Sequence, residues 1–85
     1  METILEIPED ISLIAHIIRA DWKRVFIGAD PYLEAMESLT AITDYYFEDS
    51  AASIVTYFLA NAQTWRGPVA KEVKTKLNAL LKTIT

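Results

Sequence analysis

The sequence of 85 residues contains no cysteine, only two glycines and only three prolines. The absence of cysteine excludes disulfide bonds, thiolate nucleophiles and metal sites with sulfur ligands. His16 is the only histidine, so no second imidazole is present to complete a zinc site. The sequence has no glycine-rich phosphate-binding loop. It also shows no pairing of a general base with a serine that could serve as a nucleophile. These absences predict a protein that is not an enzyme and that uses no metal or cofactor.

Long hydrophobic runs are also lacking. The longest segment without a charged residue covers residues 50–65 and includes Ser53, Thr56 and Asn61. A membrane-spanning helix needs about 20 predominantly apolar residues. The first residues carry neither the basic region nor the long apolar stretch of a signal peptide. We therefore expect a soluble, cytoplasmic protein that does not associate with a membrane.

The residues that are present are typical of one folded domain. Hydrophobic residues make up 52% of the chain and nine residues are aromatic, whereas disordered chains have few aromatic residues. A chain of this length forms a single domain, so we expect one helical domain over residues 1–85.

Apolar residues recur at three- and four-residue spacings, which is the pattern of helices with one buried face. The pattern predicts an all-α fold, a compact bundle of four helices at about residues 9–26, 31–47, 50–66 and 68–84 with short connections. Trp22 and Trp65 lie on the predicted inner faces. The other residues predicted to be buried are Ile11, Ile14, Ala15, Ile18, Val25, Tyr32, Ala35, Met36, Leu39, Ile42, Tyr46, Ala51, Ile54, Val55, Phe58, Ala62, Val69 or Ala70, Val73, Leu77, Leu80, Leu81 and Ile84, with Leu13 and Ile17 widening the buried face of the first helix.

The predicted breaks between helices rest on recognisable residues. Gly28 is expected to end the first helix in a left-handed conformation, and Gly67-Pro68 to separate the third and fourth helices. Asp49 or Ser50 is expected to cap the third helix. The segment 45–47 is rich in strand-forming residues, so the end of the second helix conflicts with local preference.

Charge is distributed unevenly along the chain. The net charge of −4 divides into −3 for residues 1–30, −5 for residues 31–65, which have no basic residue, and +4 for residues 66–85. On a helix over residues 31–47, four acidic side chains would share one face; this acidic ridge consists of Glu34, Glu37, Asp44 and Glu48. It is expected either to pair with the basic fourth helix or to offer an anionic surface to a basic partner.

The fourth helix carries a basic ridge of Lys71, Lys74 and Lys82, opposite its apolar face. The ridge either packs beside the acidic ridge or contacts the phosphates of a nucleic acid. The second alternative is disfavoured by the net negative charge. It is disfavoured too by the apolar pair Val69-Ala70 at the start of the helix, where base-reading residues are usual.

The third helix has no charged side chain between Ser50 and Trp65. A helix that is apolar nearly all round is normally central in its bundle, and the alternative is that its second face is an interface with a partner or a second copy. Tyr45 and Tyr57 fall outside the predicted inner faces. They are therefore candidate contact residues, since tyrosine is frequent at binding hot spots.

These observations favour a non-enzymatic protein-interaction module that binds another protein through an acidic face and adjacent apolar surface, and a basic protein is the expected partner. The predicted partner-binding residues are Glu34, Glu37, Asp44, Glu48, Tyr45 and Tyr57. The alternatives are a nucleic-acid-binding domain that uses Lys71, Lys74 and Lys82, and a homodimeric structural protein.

Several segments also resemble small uncharacterised all-helical proteins of bacterial genomes, phages and other mobile elements. The resemblance covers roughly residues 20–75 and lies in residues 20–25 (ADWKRV), 28–36 (GADPYLEAM), 49–50 (DS), 53–55 (SIV), 57–62 (YFLANA) and 64–67 (TWRG). It includes no catalytic motif. It implies a regulator or inhibitor that acts by binding a host or partner protein.

Overall fold

A computed structural model of the chain describes residues 6–84. This part of the chain contains four α-helices and one two-stranded antiparallel hairpin, so it is mostly helical but not purely so. In chain order the elements are α1 (Ile11–Asp21), α2 (Asp30–Met36), β1 (Tyr45–Tyr46), β2 (Asp49–Ser50), α3 (Ala51–Ala60) and α4 (Pro68–Lys82).

Helix α1 begins at a side-chain cap and ends five residues before the predicted end. The Asp10 carboxylate accepts hydrogen bonds from the Ser12 hydroxyl at 2.6 Å, the Leu13 amide at 3.4 Å and the Ser12 amide at 2.9 Å. The bond from the Ser12 hydroxyl, followed by those from the two amides, lowers the pKa of Asp10 below 3.8. At the other end Trp22 adopts an extended conformation. Its ring stacks on that of Trp65 at 5.7 Å and meets Phe58 edge to face. Packing of Trp22 in the core therefore accompanies the end of the helix.

The predicted second helix is wrong beyond Met36. The carboxylate of Asp44 accepts hydrogen bonds from the backbone amides of Thr40 and Ala41 at 3.0 and 2.9 Å. The carbonyl of Thr40 in turn accepts from the amide of Ile11 at 2.8 Å. These bonds satisfy the backbone locally and across the fold without helix geometry, and Leu39 is still buried there.

The strand-forming residues that come next make the hairpin instead. Tyr45 lies opposite Ser50 and Tyr46 opposite Asp49, with Phe47 and Glu48 in a two-residue turn. The hydroxyl of Ser50 then caps α3 by accepting from the amide of Ser53 at 3.1 Å, as one of the two predicted caps.

The two glycines act differently from each other. Gly67 has φ +115° and ψ 179° immediately before α4, a conformation that is essentially restricted to glycine. Gly28 does not adopt the left-handed conformation that we expected. It instead allows close approach, because a β-carbon there would lie 2.6 Å from the ring of Phe26 and 2.9 Å from the side-chain oxygen of Asn61.

The core lies between α1, α3 and α4 with α2 closing one side. Trp22 and Trp65 are both buried, as predicted. Helix α2 packs on α1 and α3, and α4 packs on α1 and α3. Helix α3 is not enclosed on all sides: Val55 and Phe58 are buried, whereas Tyr57 is exposed. Helix α3 therefore keeps an exposed outer face, and the alternative that this face is an interface stays a prediction.

Candidate interaction surface

A groove opens where α2, the hairpin and α3 meet on one side of the molecule. We call it the aromatic groove, and it has a volume of about 560 Å³. Its lining residues are Pro31, Tyr32, Ala35, Tyr46, Asp49, Ser53, Ile54 and Tyr57. Each of the three elements contributes one tyrosine, so the groove depends on the chain turning back as a hairpin after α2.

The tyrosines are held by ring contacts as well as by the backbone. Tyr32 of α2 and Tyr57 of α3 stack with ring centroids 5.5 Å apart and an interplanar angle of 26°. Tyr46 is half-buried on the hairpin, and Tyr57 is 54% exposed. Aromatic contacts of this kind contribute about 0.5–1.5 kcal/mol to stability beyond the effect of buried area. The wall of the groove is therefore preformed in the protein alone.

The tip of the hairpin carries a strained and exposed aromatic residue. Phe47 has φ +56° and is 86% exposed. Its ring meets that of Tyr46 edge to face at 4.8 Å. A bulky residue with positive φ costs about 1–3 kcal/mol and persists mostly at functional positions. Glycine would adopt this backbone conformation at lower cost, so the presence of phenylalanine indicates a functional role for its exposed ring.

The segments that form the groove carry charge of one sign. Asp49 lines it, Glu48 is exposed at the hairpin tip, and Glu34 is exposed beside Pro31 on the next turn of α2. No lysine or arginine belongs to the described lining. The groove is therefore aromatic inside and acidic at its margin.

The predicted acidic ridge does not exist as one helical face, because α2 ends at Met36. Glu37 is bound to Arg19 at 3.0 Å, and Asp44 is engaged with backbone amides. Only Glu34 and Glu48 remain as exposed members of the predicted set. Neither lines the aromatic groove, but Glu34 lies on α2 and Glu48 in the hairpin turn, and both segments help to form it.

Arg19 of α1 pairs with Glu37, one of the acidic residues for which pairing with the fourth helix was one of two alternatives. It contacts Asp30 at the start of α2 at 2.9 Å and Glu37 just beyond its end at 3.0 Å. The hydrogen bond to Asp30, followed by that to Glu37, raises the pKa of Arg19. One guanidinium thus holds both ends of α2, the helix that forms one wall of the groove.

Of the two predicted tyrosines, the structure brings only Tyr57 into the groove. Tyr45 is 69% exposed but is not among the lining residues. Sequence reasoning missed Tyr32 and Tyr46 as site residues because both fall on apolar stripes and were assigned to the core. The strand preference of residues 45–47 was the available signal for Tyr46.

The basic ridge is not arranged as three outward-facing lysines. The ammonium of Lys74 donates to the carbonyl oxygen of Trp65 at 2.6 Å and lies 5.9 Å from the centre of its ring. Partial burial, and then the charge of Arg66, lowers the pKa of Lys74. Lys71 is exposed, and Lys82 has an interaction of its own. Lys74 is thus part of the packing between α4 and the preceding turn.

Metal-binding clusters and membrane-spanning helices are not found in residues 6–84. This range contains no group of three histidine, cysteine or acidic residues that could hold a metal ion. None of its helices combines the length and apolar character needed to cross a membrane. His16 is exposed on α1.

Comparison with known proteins gives no relative. No family model, curated protein or solved structure matches this chain. Function is therefore inferred from the groove itself.

Proposed function

We propose that this protein is a non-enzymatic interaction module that binds a basic partner protein through the aromatic groove, its acidic margin and the hairpin tip. The observation that supports this most strongly is the convergence of Tyr32, Tyr46 and Tyr57 from three separate elements on a groove whose one charged residue in the described lining is Asp49.

The chemistry of the surface suits protein binding. Tyrosine supplies a large, rigid contact area at low cost in side-chain entropy, and it is enriched at binding hot spots. The exposed Phe47 extends the apolar contact from the groove to the hairpin tip. Acidic residues at the margin would speed encounter with a positively charged partner and restrict which proteins bind.

The biological role that we propose is regulation or inhibition of the partner. A small chain that presents one compact contact surface can act by covering a surface of another protein. The resemblance to small proteins of phages and other mobile elements supports a partner in the bacterial host.

The proposal is tested by affinity purification from a native host with matched variants. Glu48→Lys at the groove margin and Tyr57→Ser inside the groove should reduce recovery of the partner. Glu72→Lys changes the charge equally on exposed α4, so it should leave recovery unchanged. Equal recovery by the wild-type protein and all three variants would refute the groove as the binding surface.

A homodimer formed through the outer face of α3 is a second candidate. On the other side of Tyr57, a shallow depression of about 340 Å³ is lined by Ala52, Ser53, Thr56, Tyr57, Leu81 and Ile84. Ile84 is 40% exposed there, although the spacing predicted it to be buried, and exposed apolar surface is common at subunit contacts. Sedimentation equilibrium decides this case: a monomer at high concentration excludes the homodimer.

Nucleic-acid binding through the fourth helix is the weaker alternative. Phosphate contact requires lysines that reach outward, and Lys74 is directed at Trp65. A mobility-shift titration at low salt should therefore show no binding.

A further inference from the structure

We propose that the aromatic groove receives an arginine side chain of the partner, with its guanidinium group between the tyrosine rings and the carboxylate of Asp49. This proposal rests on the proposed function and specifies the chemistry of the group that the groove recognises.

The hairpin places an aromatic ring and a carboxylate side by side. Tyr46 and Asp49 are directly opposed across the two strands, next to the turn. Directly opposed residues project from the same face of a hairpin, with β-carbons about 5 Å apart. Both residues line the groove. One planar cation can therefore contact the ring and pair with the carboxylate at the same time.

The carboxylate of Asp49 has no cation of its own within residues 6–84. The ion pairs of this range use Asp30, Glu37 and Glu9 as their acidic members. Asp49 is exposed at the groove instead. Its charge is therefore available to a cationic group of a partner.

Arginine fits this combination better than lysine or an apolar side chain. Its guanidinium is planar, stacks on aromatic faces, is weakly hydrated and forms paired hydrogen bonds with a carboxylate. The groove supplies such rings in Tyr46, directly opposite Asp49, and in Tyr57, which is 54% exposed although one of its faces is stacked on Tyr32. An apolar side chain would leave Asp49 uncompensated, and a lysine ammonium would lose more hydration.

The test uses nuclear magnetic resonance of the isotope-labelled chain. The probes are N-acetyl-arginine methylamide and its citrulline analogue, which has the same shape and no charge. The arginine probe should shift the ring resonances of Tyr32, Tyr46 and Tyr57, with an affinity about fivefold or more above that of citrulline. Equal binding of the two probes, shifts elsewhere on the surface, or no shifts would overturn the proposal.

Matched variants measure separately what the tyrosine ring and the carboxylate contribute to binding of the arginine probe. Tyr57→Leu keeps apolar bulk but removes the aromatic face, and Asp49→Asn keeps the shape but removes the charge. Each should weaken the arginine probe about fivefold. Tyr45→Leu alters an exposed tyrosine outside the lining and should leave the affinity unchanged, with the backbone spectrum as the check on folding.

The outcome is distinguishable from failure of the proposed function. If citrulline binds as well as arginine and the partner is still lost with Tyr57→Ser, the groove binds protein but does not select arginine. If the partner is recovered equally with Tyr57→Ser, the proposed function itself is wrong.

Discussion

The clamp that Arg19 forms on α2 gives the most quantitative prediction. Replacing Arg19 with Met keeps the apolar stem but removes the contacts to Asp30 and Glu37. The three side chains are between 34% and 49% exposed, so solvent screening limits each contact to about 0.2–1 kcal/mol. Glu37 would also be left unpaired at the negative end of α2, which costs about 0.3 kcal/mol more.

Together these effects lower the free energy of unfolding by about 1–2 kcal/mol. In a domain of this size, that loss corresponds to a fall in Tm of about 4–16 °C. Urea unfolding followed by tryptophan fluorescence measures it, because both Trp22 and Trp65 are buried. The difference from the wild-type protein should shrink as salt is added.

Lys76→Met is the matched control, since it removes one 3.4 Å contact to a Glu9 side chain that is 78% exposed. It should cost less than about 0.5 kcal/mol. A loss for Arg19→Met no larger than that of the control would refute the clamp. Because α2 forms a wall of the groove, Arg19→Met should also weaken partner binding.

Three further predictions concern the caps, the hairpin tip and the core. Asp10→Ala should destabilise the protein at neutral pH. Because the pKa of Asp10 is lowered in the folded state, the stabilisation by its carboxylate is lost as pH falls below 3.8 and through that lowered pKa. The free energies of unfolding of the wild-type protein and Asp10→Ala, measured by urea titration, should therefore converge in strong acid. A difference that stays constant with pH would contradict the role of Asp10 as a helix cap. Phe47→Gly should change the free energy of unfolding by less than about 1 kcal/mol, because glycine adopts positive φ without strain and this offsets the lost contact with the ring of Tyr46. The affinity for the partner should fall. A large loss of stability would mean that Phe47 has a structural role instead. Trp65→Phe removes a 2.8 Å hydrogen bond to Asp21 and buried ring area, and should cost about 2 kcal/mol by urea unfolding; an unchanged midpoint would refute this contribution.

The sequence predicted the buried faces well where helices are regular. All six residues predicted to be buried along the third segment are buried, and so are five of the six on the main stripe of the first, with Val25 half-buried. Of the two residues expected to widen that stripe, Ile17 is half-buried and Leu13 is 49% exposed, which makes that part of the prediction wrong for Leu13. Periodicity works there because helix packing sets both the spacing and the burial. Leu33 was missed, since the short α2 buries it from a position off the predicted stripe.

The second segment could not be predicted from spacing alone. Leu39 and Ile42 occur at helical intervals and are buried, yet the chain that carries them is irregular. What decides the backbone is the local carboxylate of Asp44 and the bond from the amide of Ile11 to Thr40, 29 positions away. A long-range contact of this kind leaves no periodic signal.

The candidate site was predicted in part. Tyr57 was identified from its position outside the apolar stripe, whereas Tyr32 and Tyr46 resemble core residues in the sequence because they are half-buried. Asp49 was considered as a helix cap. Ser50 takes that role, which leaves the carboxylate of Asp49 at the groove.

Site-specific photocrosslinking in a native host tests the central claim most directly. A benzophenone amino acid at position 57 should form a covalent product with the partner, whereas the same group at position 71 on exposed α4 should form none. A product from position 71 with none from position 57 would contradict the account.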